Sequence, residues 1–267
     1  CGLAFIELRQ GCLGEFEDSG TRLPRVELLQ ELAGDFPRVT FDLAVELPVF
    51  SEEIDPASAE VRVLIDAARA LADEQRPAHL RIVDLVSRDV PSPRAADSQE
   101  SVDFSQQHVM KSLQALQNEL PSGVLALAHS FQPWKGFSRL FSTAGSKAES
   151  EASSACSPKL CYDPCNLWLS GDGDLLKEPG SLLHVDWLSM VHLKQRVNGT
   201  VSTRLESGEV DWEQQLTVLD QAGYAGPLLF EIAPSTDVWE CLEESSRYLA
   251  ELISRRSGDE RSRNSEH

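Results

Sequence analysis

The stretch Trp212–Ala222, Gly223, Gly226-Pro227-Leu228-Leu229-Phe230-Glu231 holds a segment of helical period, a glycine stop and a short apolar run ending on a carboxylate. Glycine after the last periodic residue ends a helix, because it takes the left-handed conformation without a Cβ penalty. A short apolar run then reads as a buried strand. The same ending recurs upstream. Pro158-Lys159-Leu160-Cys161-Tyr162-Asp163 ends on Asp163, and Leu188-Ser189-Met190-Val191-His192-Leu193 carries His192 near its end. The three polar residues are 29 and 39 residues apart, about one strand–helix unit and rather more than one.

The alternation extends over the whole chain. Strand candidates fall at Leu3–Leu8, Val39–Leu47, Leu80–Leu85, Val124–Ala128, Leu160–Asp163, Met190–Leu193, a weaker Thr200–Leu205, and Leu228–Ile232. Helical periods fall at Leu23–Leu32, Ala57–Ala72, Phe104–Leu120, Trp212–Ala222 and Val238–Ile253, with a vague-ended one from Phe137 to Ser154 and a short helix or turn at Leu182–Trp187. Eight strands, most followed by a helix, predict an α/β fold: a (β/α)8 TIM barrel forming a single domain over residues 1–253. A doubly wound open sheet is the runner-up, weakened because no glycine-rich phosphate loop follows the first strand. Residues 254–267 read as a disordered polar tail. The chain opens on Cys1 and passes directly into a strand, which reads as truncation at the N-terminus.

Composition narrows the function classes. The net charge is −19, from 43 acidic and 24 basic residues, and nonspecific nucleic-acid binding needs the opposite sign. Nucleic acid and anionic membrane are therefore not expected partners, and no apolar run reaches the roughly 20 residues that span a bilayer. Six cysteines in a chain of this size form no disulfide framework, which predicts a reducing, cytoplasmic setting. Cys156, Cys161 and Cys165 cluster but lack the spacing of a structural zinc knuckle, so buried thiols are the favoured reading. Self-association into a homo-oligomer stays open.

In a barrel, residues at the C-terminal ends of strands face the active site. Glu7, Arg9, Glu46, Asp84, His129, Asp163, Asn166, His192, Lys194 and Glu231 occupy such places. Each also has a structural reading, as a helix cap or an ion-pair partner. Asp163, His192 and Glu231 together form a donor set for a divalent metal, with Mn, Mg, Co and Zn all compatible. Trp134, in Phe131-Gln132-Pro133-Trp134-Lys135-Gly136, and Trp168 could stack a sugar ring or pack a loop. Lys194 could hold a substrate oxygen or an ion pair.

Four stretches resemble the sugar phosphate isomerase/epimerase family with the xylose isomerase-like barrel. They are Tyr162-Asp163-Pro164-Cys165-Asn166, Val191-His192-Leu193-Lys194, Gly208-Glu209-Val210-Asp211-Trp212, and Ala222-Gly223-Tyr224-Ala225-Gly226-Pro227-Leu228-Leu229-Phe230-Glu231. The resemblance covers about residues 158–253, with a fainter echo in Phe5-Ile6-Glu7-Leu8-Arg9. It implies that Asp163, His192 and Glu231 ligate a divalent metal and that Glu231 is catalytic; Asn166, Lys194, Glu7 and Trp134 are, by position and residue type, the substrate-binding candidates. It implies isomerisation or epimerisation of a small sugar, sugar phosphate or polyol through an ene-diolate. Two departures stand out. The family's strand-four Glu, a ligand and base, is replaced by Ala128, with His129 as a substitute ligand if the strand bulges. Gln195 stands where an Asp often follows His-x-Lys. A catalytically impaired binding barrel and a keto-polyol dehydratase are therefore the alternatives. Phosphodiester cleavage, as in barrel-shaped apurinic endonucleases, fits neither the charge nor the placement of the six histidines.

Overall fold

A computed structural model describes residues 4–85, 99–146, 158–177, 183–232 and 235–264. They form two compact units, residues 1–161 and 162–267.

The first unit alternates strand and helix: β1 (Phe5–Arg9), α1 (Val26–Asp35), β2 (Thr40–Glu46), α2 (Ala59–Ala70), β3 (His79–Val83), α3 (Gln99–Glu119), β4 (Val124–Ala128), α4 (Trp134–Ser146) and β5 (Lys159–Tyr162), the last crossing into the second unit. Neighbouring strands from β1 to β5 pair in parallel in chain order. The register sorts their residues by face. Leu43 pairs with Leu80 and Leu80 with Leu125; Val45 pairs with Ile82, Ile82 with Leu127, and Leu127 with Leu160. All of these are buried. α2 lies on β2 and β3, and α3 on β4, so their buried Leu64, Ile65, Leu113 and Leu116 cover this apolar layer. Each such side chain contributes roughly 1.5–3 kcal/mol by leaving water. α2 starts cleanly because Ser58 caps it, accepting the Val61 amide at 3.4 Å.

The opposite face is small and charged. Glu7 pairs with Asp42, Arg81 with Ala126, and Ala128 with Cys161. Arg81, buried, lies 2.5 Å from Glu7 Oε2 and 3.2 Å from Asp42 Oδ2. Ala128 thus shares a face with these charged groups, two residues on from Ala126, since strand side chains alternate.

The second unit carries α5 (Pro164–Leu169), β6 (Leu188–Leu193), β7 (Arg196–Val197), β8 (Thr200–Val201), α6 (Trp212–Gln221), β9 (Leu228–Phe230) and α7 (Val238–Asn264). β6 and β9 pair in parallel. α6 is capped by Asp211, which accepts the Gln214 amide at 3.0 Å, and ends before Gly223 at φ +73°.

Two expectations change. Among the described residues seven strands are parallel, not eight. The segment expected as a seventh strand, Thr200–Leu205, instead begins with the second arm of the antiparallel pair β7–β8. Asn198 and Gly199 between the arms both have positive φ, +52° and +78°, the geometry of a tight hairpin turn. The last helix runs through Asn264, so residues 254–264 are helical rather than an unstructured tail. Arg256 reaches back to Asp220 at 3.1 Å, tying that stretch to α6. Cys1, Cys156, His267 and the expected helix end at Ser154 lie outside the described residues.

Candidate metal centre

Asp163 stands at the junction of β5 and α5. Its Oδ1 accepts the amides of Cys165 (2.9 Å) and Asn166 (3.3 Å), capping a helix whose first residue is Pro164. Proline suits that position because its missing N–H would have had no helical partner. Capping uses one oxygen and leaves Oδ2 turned elsewhere.

His192 and Glu231 come from the pair β6–β9. His192 pairs with Leu229, and the Glu231 amide bonds to the Leu193 carbonyl at 3.2 Å, carrying the pairing past the strand end. Alternation then puts His192, Lys194, Leu229 and Glu231 on one face. His192 Nδ1 lies 3.0 Å from Glu231 Oε2. One ligand atom each from Asp163, His192 and Glu231 fall within 4.8 Å of one another. An imidazole and two carboxylates suit a divalent cation.

Lys194 lies among these residues. Its Nζ is 2.6 Å from Asp163 Oδ2, 2.9 Å from Glu231 Oε2 and 3.1 Å from Asn166 Oδ1. Asp163 is 2% exposed, and its carboxyl is pushed up by that burial, against the pull of Lys194. Burial also pushes the Glu231 carboxyl up, but the hydrogen bond and charge of His192, joined by Lys194, hold it well below its ordinary value. Burial alone would discharge Lys194; the charges of Asp163 and Glu231 outweigh it and raise its pKa, so the ammonium persists. The Cys165 thiol is pushed up to about 12 by burial, then by Asp163, which leaves it an inert thiol.

The supporting residues were not singled out by sequence as a frame. Gln195, fully buried, accepts the amides of Arg196 (2.8 Å) and Val210 (2.9 Å) and donates to the carbonyls of Glu206 (2.9 Å) and Val210 (3.0 Å). The residue expected to be a departure from the family's Asp thus ties down the loop after β6. A Cβ on Gly208 would lie 2.5 Å from the Arg196 carbonyl and 2.6 Å from Gln195 Cδ, so glycine is needed there. Trp212 donates Nε1–H to the Lys194 carbonyl at 3.1 Å, fixing the backbone that carries the ammonium. The signal was present in Gly208-Glu209-Val210-Asp211-Trp212, but its partners were not readable from spacing.

The other expected site residues have contacts of their own. His129 is fully buried, and its Nε2 meets the Gln132 carbonyl at 2.8 Å. Its ring stands edge-on to Trp134 (5.2 Å) and Phe137 (4.9 Å). Ala128, in register with Cys161, keeps the face of Arg81, and alternation turns the neighbouring His129, the expected substitute ligand, to the other face and into this packing. Trp134, 5% exposed, packs in the same cluster. Trp168 is packed against Gly173 and lies under Arg196, 5.6 Å from guanidinium to ring centroid. Glu7 is ion-paired with Arg81 in the first unit.

Residues 157–252 match the family model described as xylose isomerase-like TIM barrel. Among solved structures, the IolI protein with a bound zinc atom is 14% identical, with 94% of this chain and 88% of that chain covered at a TM-score of 0.61. An L-ribulose 3-epimerase is 14% identical, covering 97% and 87%, also at 0.61. A D-allulose 3-epimerase from Methylomonas sp. in complex with D-allulose is 16% identical, covering 96% and 87%, at 0.59. At such identities the likeness shows the fold, a TIM barrel. No curated protein sequence matches the chain. The expected α/β barrel class is borne out, and the family model bears out the resemblance over residues 157–252.

Proposed function

We propose that the chain is a divalent-metal-dependent isomerase or epimerase of a small sugar, sugar phosphate or polyol. One observation carries this reading: Asp163, His192 and Glu231 converge at the ends of three strands, with ligand atoms within 4.8 Å. A divalent ion bound there would supply polarisation of a substrate carbonyl and its neighbouring hydroxyl. The chain's own residues do the rest. Glu231, held ionised by His192 and Lys194, accepts the proton from the carbon next to the carbonyl, leaving an ene-diolate. His192 orients Glu231 through the 3.0 Å contact. Asn166 and Lys194 offer hydrogen bonds to substrate oxygens. Structural neighbours that are sugar 3-epimerases, one holding D-allulose, support the substrate class. The free thiols of Cys12, Cys161, Cys165 and Cys241 fit a cytoplasmic setting. No helix among the described residues is long and apolar enough to cross a membrane.

A second reading, a barrel that binds ligand without turning it over, is favoured by Ala128, at the end of β4 and paired with Cys161, where the family pattern puts a Glu. Keto-polyol dehydration, which needs fewer bases, is intermediate. The test is a panel of ketohexoses, their phosphates and keto-inositols assayed with added Mn2+. Turnover that falls at least about a hundredfold in Glu231→Gln supports isomerisation; unchanged turnover in that variant sinks it, and no turnover on any member supports the binding barrel.

A further inference from the structure

The two carboxylate oxygens of Asp163 face different groups. Oδ1 holds the amides of Cys165 and Asn166 at 2.9 and 3.3 Å; Oδ2 lies 2.6 Å from the Lys194 ammonium. Glu231 meets that ammonium through Oε2 at 2.9 Å, the same atom that meets His192. Asn166 supplies a third oxygen at 3.1 Å. The ammonium donates hydrogen bonds to Glu231 and Asn166 and pairs by charge with Asp163. The Lys194 side chain is 10% exposed, so water screens the group little. With Oδ1 spent on the α5 amides, Oδ2 is the atom that Asp163 can offer a metal. An ion about 2.1 Å from that oxygen would sit within a few ångströms of a buried ammonium, and like charges repel strongly there.

We propose that Lys194 is a built-in counter-ion for Asp163 and Glu231 that a divalent metal displaces on binding. The inference rests on the metal-centre reading of these residues. Metal loading and release of the ammonium are then one event. The backbone stays in place, because Trp212 holds the Lys194 carbonyl; only the side chain swings. In the metal-free protein the carboxylates are neutralised without an ion. In the loaded protein Lys194 is tethered beside the centre with its donors available to a substrate oxygen, so substrate contact through Lys194 follows metal loading.

Two measurements test this with Mn2+ alone as the probe. In calorimetric titration, Lys194→Met should bind Mn2+ at least about tenfold more tightly than the unmodified protein, because the competing cation is gone. In the unmodified protein, amine acetylation mapped by mass spectrometry should be severalfold faster at Lys194 with Mn2+ than with a chelator. Lys177, 76% exposed, serves as internal standard. The labelling arm needs no variant, so it decides the matter if Lys194→Met fails to fold. Equal or weaker Mn2+ affinity in the variant, with unchanged labelling of Lys194, overturns displacement while the metal centre stands. No Mn2+ binding in either protein overturns both.

Discussion

Asp163 performs two tasks with its two oxygens, and a single substitution separates them. Asn caps helices about as well as Asp, so Asp163→Asn should keep the cap on α5 while removing the charge that meets Lys194. The expected outcome is retained helical content with Mn2+ affinity lowered at least about a hundredfold. Affinity within a factor of a few of the unmodified protein would deny Asp163 a ligand role. At this scale the sequence was legible in position: the apolar runs put Asp163, His192 and Glu231 at strand ends, and the fold brings the three together. It was not legible where a neighbour decided. His129 follows Ala128, and only the Gln132 carbonyl and the Trp134 and Phe137 rings show that it is bound up in packing. Lys194 was readable as a strand-end cation, but the two carboxylates it joins come from elements 31 residues before and 37 after it.

Most elements could be read because their apolar runs are sharply bounded. Val124–Ala128 lies between Gly123 and the buried polar pair His129-Ser130, and β4 has those limits. The exception was Thr200–Leu205. Its alternation suggests a strand, but Asn198-Gly199 before it is the stronger signal, because both residues adopt positive φ and close β7 on β8. The loop beyond this hairpin rests on Gln195 and Gly208. Gly208→Ala would push a methyl into the Arg196 carbonyl, and should destabilise the protein by roughly 2–4 kcal/mol in denaturant unfolding. Gly136, near the start of α4, has nothing within 4 Å of the added Cβ. Gly136→Ala should therefore stabilise by about 0.5–1 kcal/mol. Equal effects at the two positions would contradict the assignment of Gly208 as a close-contact glycine.

For the molecule as a whole, acid sensitivity should come first from a histidine rather than from the 43 acidic residues. His79, edge-on to Phe5 at 5.2 Å, is lowered to about 4 by burial, from an ordinary 6.5. The unfolded chain therefore binds this proton more readily than the folded one. The stability it contributes is complete above pH 6.5 and is lost as pH falls from 6.5 towards 4, up to on the order of 3 kcal/mol. His79→Leu should flatten unfolding free energy between pH 6.5 and 5; an unchanged slope would place the acid sensitivity elsewhere. The fold class was legible because strand–helix alternation repeats along the chain, whereas one strand fewer and a longer last helix depended on a turn and on the Arg256–Asp220 contact. The metal centre is tested most directly by equilibrium dialysis against Mn2+, with metal counted per chain in the unmodified protein and in His192→Ala. About one ion per chain in the first and essentially none in the second is the predicted result. No bound metal in either, or equal amounts in both, would contradict a centre built on Asp163, His192 and Glu231.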